Sequence, residues 1–366
     1  MTASAAPWPG DPLDDDGAGP VPPEAHDDAE LRERLAAAVA AADAPDVVVA
    51  VSRHGRRIVH SGGTAPPPEV LRPDLRYEIG SASKTFTGLL LAHLVRRGTL
   101  TGGEPAAACL DPDRPAGPDP VTLAHLVTHT AGLPALPRDF YARALPAWQT
   151  NPFARYPAAR VTAAFLRHRP RHRPGTRWRY SNFGVAVLGH ALASVTGTSW
   201  EELLTAHVLR PLGLSGTALR AEDPATDATG HRGDGRTAVA AFDAGGFQAA
   251  GAVRATPQDL LGFLEAHLRP DGSPLAGALR AVRTPVVRRG LGHRHVHTVA
   301  WFRHPTDGGP MYFHAGATPG QQAFLGFRPD TDTALAAVCT RRVRGSHDPF
   351  VSGAYALLAE DRSPSR

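Results

Sequence analysis

Only two cysteines, Cys109 and Cys339, occur in 366 residues. They are too few and too far apart for a disulfide framework or a zinc knuckle, so both are expected as small core residues and a reducing compartment is allowed. No apolar run is long enough to span a bilayer: Leu89 to Val95, for one, is broken by His93 and falls far short of the roughly 20 residues a membrane helix needs. The first 28 residues have neither the basic nor the apolar stretch of an export signal. They are rich in Pro, Ala, Gly and Asp, with an acidic run at Asp14 to Asp16, and read as a disordered tail, so a cytoplasmic location is expected. The net charge of +4 comes from arginine rather than from a lysine-rich patch, and composition gives no argument for nucleic acid. What is plentiful is apolar material, 42% of the chain, enough for one large two-lobed domain.

The chemistry is concentrated in short motifs. Ser81-Ala82-Ser83-Lys84 places a hydroxyl and an amine three residues apart where a strand-like segment (Tyr77 to Ile79) enters an apolar helix. On a helix, residues i and i+3 share a face, so Lys84 can reach the Ser81 hydroxyl, and a lysine whose ammonium form is disfavoured can activate a serine. Downstream, Pro174-Gly175 leads to Tyr180-Ser181-Asn182, and near the C-terminus stands His314-Ala315-Gly316-Ala317. Two further segments accompany them, Leu126 to Pro134 (Leu-Val-Thr-His-Thr-Ala-Gly-Leu-Pro) and Gly251 to Leu260.

In this order the motifs resemble the serine β-lactamase-like family, in its class C β-lactamase, D-alanyl-D-alanine carboxypeptidase and family VIII esterase branches, over roughly residues 29 to 360. The resemblance implies an α/β (α+β) fold. An antiparallel sheet flanked by helices would come from residues 29–80 and 290–360, with an all-helical lobe from 81–289. Local patterning agrees. Ala29 to Ala42 reads as a helix with Leu31, Leu35 and Val39 on one face, and Val47 to Ser52 with Arg57 to Ser61 as a hairpin around His54-Gly55. Helices are expected at Val185 to Ser194, Trp200 to Val208 and Phe350 to Ala359, and strands at His297 to Phe302, Met311 to His314, Gln322 to Phe327 and Thr333 to Cys339. The active site is expected in the groove between the lobes.

By the same resemblance Ser81 is the nucleophile, Lys84 and Tyr180 accept and relay its proton, and each is expected to lower the other's pKa. Asn182 orients Lys84 and meets a substrate oxygen, and the backbone N–H groups of Ser81 and Ala317 form the oxyanion hole. His314 and Gly316 belong to the substrate-binding strand. His314 stands where true β-lactamases carry a lysine; it supplies a hydrogen bond rather than a fixed charge, and the family's H-x-G members are mostly peptidases and esterases. No glutamate in an E-x-x-L-N setting is present, so β-lactams are not the expected substrate.

Other constellations read as structural. His293, His295 and His297 alternate without a carboxylate partner; His125 and His129 lack the glutamate of a metalloprotease helix; Gly245, Gly246 and Gly251 do not follow a strand as a phosphate loop would. No metal and no cofactor are implied. The basic run Arg167, Arg169, Arg171, Arg173, Arg177 and Arg179 reads first as a solvated loop and second as a patch that attracts an anionic substrate. The reaction expected is cleavage of a small intracellular ester or amide through an acyl-enzyme, with no nucleic-acid or membrane partner. Transfer of the acyl group to an amine or alcohol, as in natural-product pathways, and an idle sensor of the same fold stay open.

Overall fold

A computed structural model describes residues 23–360 apart from 116, 119, 149, 171, 291–294 and 344–348, with side chains from residue 28 onward. The run Asp14 to Asp16, Arg171 and His293 thus lie outside the described residues. Helix already begins at Pro23 and continues to Ala41, so residues 23–28 are not part of a tail.

The strands in chain order are β1 (Val47–Arg53), β2 (Arg56–Gly62), β3 (Tyr77–Glu78), β4 (Thr217–Ala218), β5 (Arg254–Ala255), β6 (Val287–Arg289), β7 (His295–His297), β8 (Phe302–Thr306), β9 (Gly309–Ala317), β10 (Gln322–Arg328) and β11 (Thr333–Cys339). Eight of them make one sheet in the order β2-β1-β11-β10-β9-β8-β7-β6, antiparallel throughout. The β1–β2 turn is closed by His54 and Gly55, at φ 50° and 81°, the two-residue hairpin whose twist suits the strands. Alternation in β1 sorts its side chains between two cores. Val47, Val49 and Val51 join Leu31, Leu35 and Val39 of the N-terminal helix, together with Phe350, Ala354 and Leu358 of the C-terminal helix Pro349–Ala359. Val48 and Ala50 face the larger core on the opposite side. Each such valine, leucine or phenylalanine contributes about 1.5–3 kcal/mol of apolar burial, and a one-residue slip would exchange the faces.

The second face of the sheet is covered by the helix Pro257–Leu268, which packs on β1, β10 and β11. That corrects the expected boundary: the segment 81–289 is not wholly a separate helical lobe. β3, β5 and β4 form a small second sheet, which local pattern did not reveal because each strand is only two residues long. The strand expected at His297 to Phe302 is two strands and a turn. β7 ends at His297, Ala300 takes φ 69°, and β8 begins at Phe302. Trp301 explains the break: it is 1% exposed and packs its ring against Phe263, His267 and Phe327, so the apolar run dives into the core instead of continuing along the sheet.

Candidate functional site

β3 delivers the chain to a 3-10 turn, Gly80–Ala82, which passes into the helix Ser83–Arg96. Ser81 therefore sits on the turn, two residues before the regular helix. This turn lies directly against the end of β9. A Cβ built on Gly316 would stand 1.9 Å from the Ile79 carbonyl oxygen and 2.8 Å from the Ser81 nitrogen, and one on Gly80 would stand 2.7 Å from the Ala317 nitrogen. Only glycine allows so close an approach. It brings the backbone nitrogens of Ser81 and Ala317 to the same mouth, where both residues line one cavity.

Three side chains of the Ser83–Arg96 helix clamp the segment 249–253. Ser83 Oγ accepts from Val253 N–H at 3.0 Å, Thr87 Oγ1 donates to the Ala249 carbonyl at 2.7 Å, and Lys84 Nζ donates to the Ala250 carbonyl at 2.8 Å. Lys84 is fully buried. Among the described residues no carboxylate forms an ion pair with it, and burial lowers its pKa to about 7. Ala250, not Asn182, holds the amine, which corrects the orienting role expected of Asn182.

Tyr180 lies close enough to Ser81 for the serine hydroxyl to favour its phenolate, and it keeps its ring centroid 5.1 Å from Lys84 Nζ. Burial pushes the phenol up to about 12, with the Ser81 hydroxyl acting the other way. The expected mutual lowering is not what is found: burial alone lowers the lysine, burial raises the tyrosine, and neither acts on the other's shift, because desolvation favours the neutral form of each and neutrality means opposite shifts for an amine and a phenol. Tyr180 is aimed by His129, a buried residue at φ 59°. The His129 carbonyl accepts from Arg179 N–H at 2.8 Å and its Nδ1 accepts from Ser181 N–H at 3.2 Å, so both neighbours of Tyr180 are pinned. His129 is thereby a neutral acceptor, and burial holds its pKa well below the usual imidazole value.

His314 is 2% exposed, with Nδ1 on the Ala315 carbonyl at 2.7 Å. Burial and then Lys84 press its pKa down to about 3. It is absent from the lining of the cavity beside Ser81 and stands behind Tyr180, 6.5 Å between ring centroids. Strand alternation puts position 314 on the same face of β9 as Gly316, the face that meets the Ser81 turn. Asn182 does line the cavity, its Oδ1 buried without a partner, at the start of the helix Asn182–Thr196 that Ser181 caps.

That cavity, of about 230 Å³, is also walled by Trp148, Pro152, Phe153, Phe242, Phe247 and Pro319. Glu78 fastens one wall: its Oε1 accepts from Phe242 N–H at 2.6 Å and pairs with buried Arg254 at 3.3 Å. Among the described residues, none of the arginines from Arg167 to Arg179 lines the cavity, whereas Arg342 does. Exposure alternates along the loop, with Arg177 and Arg179 outward and Trp178 and Tyr180 partly buried. Trp178 is gripped by Arg289 at 4.2 Å and by His297 stacked at 4.2 Å. His297 is thus an aromatic neighbour, and His295 hydrogen-bonds His304 at 3.1 Å. His125 accepts from Thr122 N–H in a helix cap. Gly245 and Gly246 pack on the backbone of residues 153–158. Among the described residues no group of three or more His, Cys, Asp or Glu is placed to hold a metal, and no helix is long and apolar enough to cross a membrane. Sequence reasoning missed Ala250 and the aromatic walls. A usable signal existed for the latter, because Phe140, Tyr141, Trp148, Phe153 and Tyr156 crowd one short stretch of a chain with only 7% aromatics.

Residues 31–360 match the sequence profile of the family described as Beta-lactamase. Among curated proteins the chain is similar to a beta-lactamase of Pseudomonas fluorescens, 28% identical over 66% of this chain and 65% of that protein. It is also similar to the D-alanyl-D-alanine-carboxypeptidase/endopeptidase AmpH of Escherichia coli (strain K12), 27% identical over 59% of this chain and 55% of that protein. Protein flp of Staphylococcus aureus (strain MW2) is 23% identical over 73% of this chain and 53% of that protein. The chain thus spans less than two thirds of the length of each of these relatives.

Proposed function

We propose that this chain, which belongs to the beta-lactamase family, is a serine acyl-enzyme hydrolase that cleaves an ester or amide of a small molecule. The observation that carries this reading is Lys84. It is the only lysine among the 39 basic Lys and Arg residues of the sequence, and it is fully buried with no carboxylate partner among the described residues. Arginine serves everywhere a permanent charge is wanted. At position 84 the chain keeps an amine, which unlike a guanidinium can lose its proton near neutral pH.

In this reading the neutral amine of Lys84 takes the Ser81 proton through the phenol of Tyr180 as Ser81 Oγ attacks the acyl carbon. The Oγ–C bond forms, the bond to the departing alcohol or amine breaks, and the Lys84–Tyr180 pair returns the proton to the departing group. Water then attacks the acyl-enzyme, gives its proton to the pair, and releases the acid with Ser81 restored. The N–H groups of Ser81 and Ala317 hold the oxyanion in both halves; one such donor is worth about 2.7–4 kcal/mol. The test is labelling by an alkyl fluorophosphonate, read by mass spectrometry. A single adduct on Ser81, lost in Ser81→Ala with little change in Tm, is the expected result. An adduct that persists in Ser81→Ala overturns the assignment.

A further inference from the structure

We propose that the cavity beside Ser81 is an acyl pocket for a compact aryl group, so that the preferred donors are esters or thioesters of single-ring aryl and arylacetic acids. This rests on the acyl-enzyme reading above and goes beyond it in naming the acyl class.

The first argument is the wall. Trp148, Phe153, Phe242 and Phe247 line the cavity with Pro152 and Pro319. Phe153 meets Phe242 and Phe247 edge to face, with ring centroids 5.6 and 5.3 Å apart and planes at 79° and 81°. Phe140 backs both Phe153 and Phe247, at 5.1 and 5.7 Å. The three phenylalanine rings are therefore held before any substrate arrives, and a guest ring continues the edge-to-face arrangement that aromatic quadrupoles favour. Aspartate and glutamate are absent from the described lining, and Arg342, which does line it, is already engaged within the chain. A neutral acyl group fits these surroundings.

The second argument is size. An apolar cavity of about 150 Å³ accommodates benzene, and drug-sized ligands occupy roughly 300–1,000 Å³. At about 230 Å³ the pocket has room for one ring and the short link to a carbonyl carbon, and a second ring would extend toward its open side.

The third argument is direction. The departing group must leave beside the proton donor, and Tyr180 is not among the residues lining this cavity, although Ser81 and Ala317 are. Tyr180 is flanked instead by His129 and His314. With the carbonyl carbon at Ser81 and its oxygen between the two backbone N–H groups, the departing group lies toward Tyr180 and the acyl substituent points into the aromatic cavity.

Four thioesters test this, with thiol release followed by a disulfide reagent: S-ethyl esters of thioacetic, phenylthioacetic and diphenylthioacetic acids, and S-benzyl thioacetate. The expected kcat/KM for the phenylacetyl compound exceeds that for S-ethyl thioacetate by about 10- to 100-fold, the gain from burying one ring. The diphenylacetyl compound loses that gain, and S-benzyl thioacetate, with its ring on the departing side, does not share it. Phe242→Ala is expected to cut the phenylacetyl-to-acetyl ratio about tenfold and to admit the diphenylacetyl group. An equal or larger gain for S-benzyl thioacetate overturns the direction, and a ratio near one overturns the pocket. Mass spectra of Ser81 separate the two levels: acylation by all compounds without preference refutes the aryl pocket and leaves the acyl-enzyme reading standing, whereas acylation by none refutes both.

Discussion

The Nζ of Lys84 donates to the carbonyl oxygen of Ala250 at 2.8 Å, a neutral partner that accepts from an amine as well as from an ammonium. The bond therefore fixes the position of the nitrogen without fixing its charge. A carboxylate in place of Ala250 would have held the proton on.

Replacing Lys84 by arginine keeps positive charge and loses titration. Lys84→Arg is expected to reduce kcat by about 10²- to 10⁴-fold, as far as Lys84→Ala does. Steady-state rates on one activated ester decide it, and an arginine variant within tenfold of the native rate contradicts the role of base.

The pH profile follows from the two shifts. Activity needs Lys84 neutral, so kcat/KM should rise through about 7 as the amine deprotonates and should not fall again through Tyr180 until about 12. A profile that instead declines between pH 7 and 9 would assign the protons differently.

Stability gives an independent reading of the same lysine. Its pKa is depressed on folding, so between about 7 and the ordinary 10.5 the unfolded chain binds the extra proton and stability climbs with pH. Lys84→Met should therefore raise Tm at pH 7 and flatten the rise toward pH 10, by an amount on the order of a few kcal/mol. A Met variant less stable than the native chain at pH 7 would count against a neutralised, unpaired lysine.

His129 acts on Tyr180 through its neighbours. His129→Ala should lower kcat by up to about 10²-fold, the cost of a misplaced group, while leaving KM and the limb near pH 7 in place. His129→Asn should recover part of the loss, because asparagine tolerates the left-handed φ of 59° and its Oδ1 can accept from Ser181. No difference between Ala and Asn would point to a packing effect alone.

β-Lactam turnover is expected to be slow. The inward-facing His314, with its pKa pressed to about 3, offers no cation to a substrate carboxylate. Nitrocefin hydrolysis measured beside a neutral ester checks this, and comparable efficiencies would refute it. Arg177→Ala and Arg179→Ala should each alter turnover of anionic and neutral esters by no more than about twofold, since both are exposed and neither lines the cavity beside Ser81.

Much of this protein is written in the chain itself. The spacing of Ser81 and Lys84, the pair Tyr180 and Asn182, and Gly316 before Ala317 are local patterns, and the strand alternation of Val47 to Val51 sets which side chain meets which core. These features depend on neighbours within a few residues, so the sequence determines them directly. What only the tertiary structure decided depends on residues brought together from far apart. The carbonyl of Ala250 has no side-chain signature, yet it holds Lys84 across 166 positions. The inward direction of His314 follows from which face of β9 the helical side covers. The aromatic cavity joins Trp148 and Phe153 to Phe242 and Phe247, with Glu78 reaching 164 positions to fasten Phe242. Trp301 turned an apparent strand into a hairpin because the core beneath the Pro257–Leu268 helix offered it more burial than the sheet did. Local pattern specifies what each residue can do, and long-range packing, through burial and desolvation, selects which of those capacities is used.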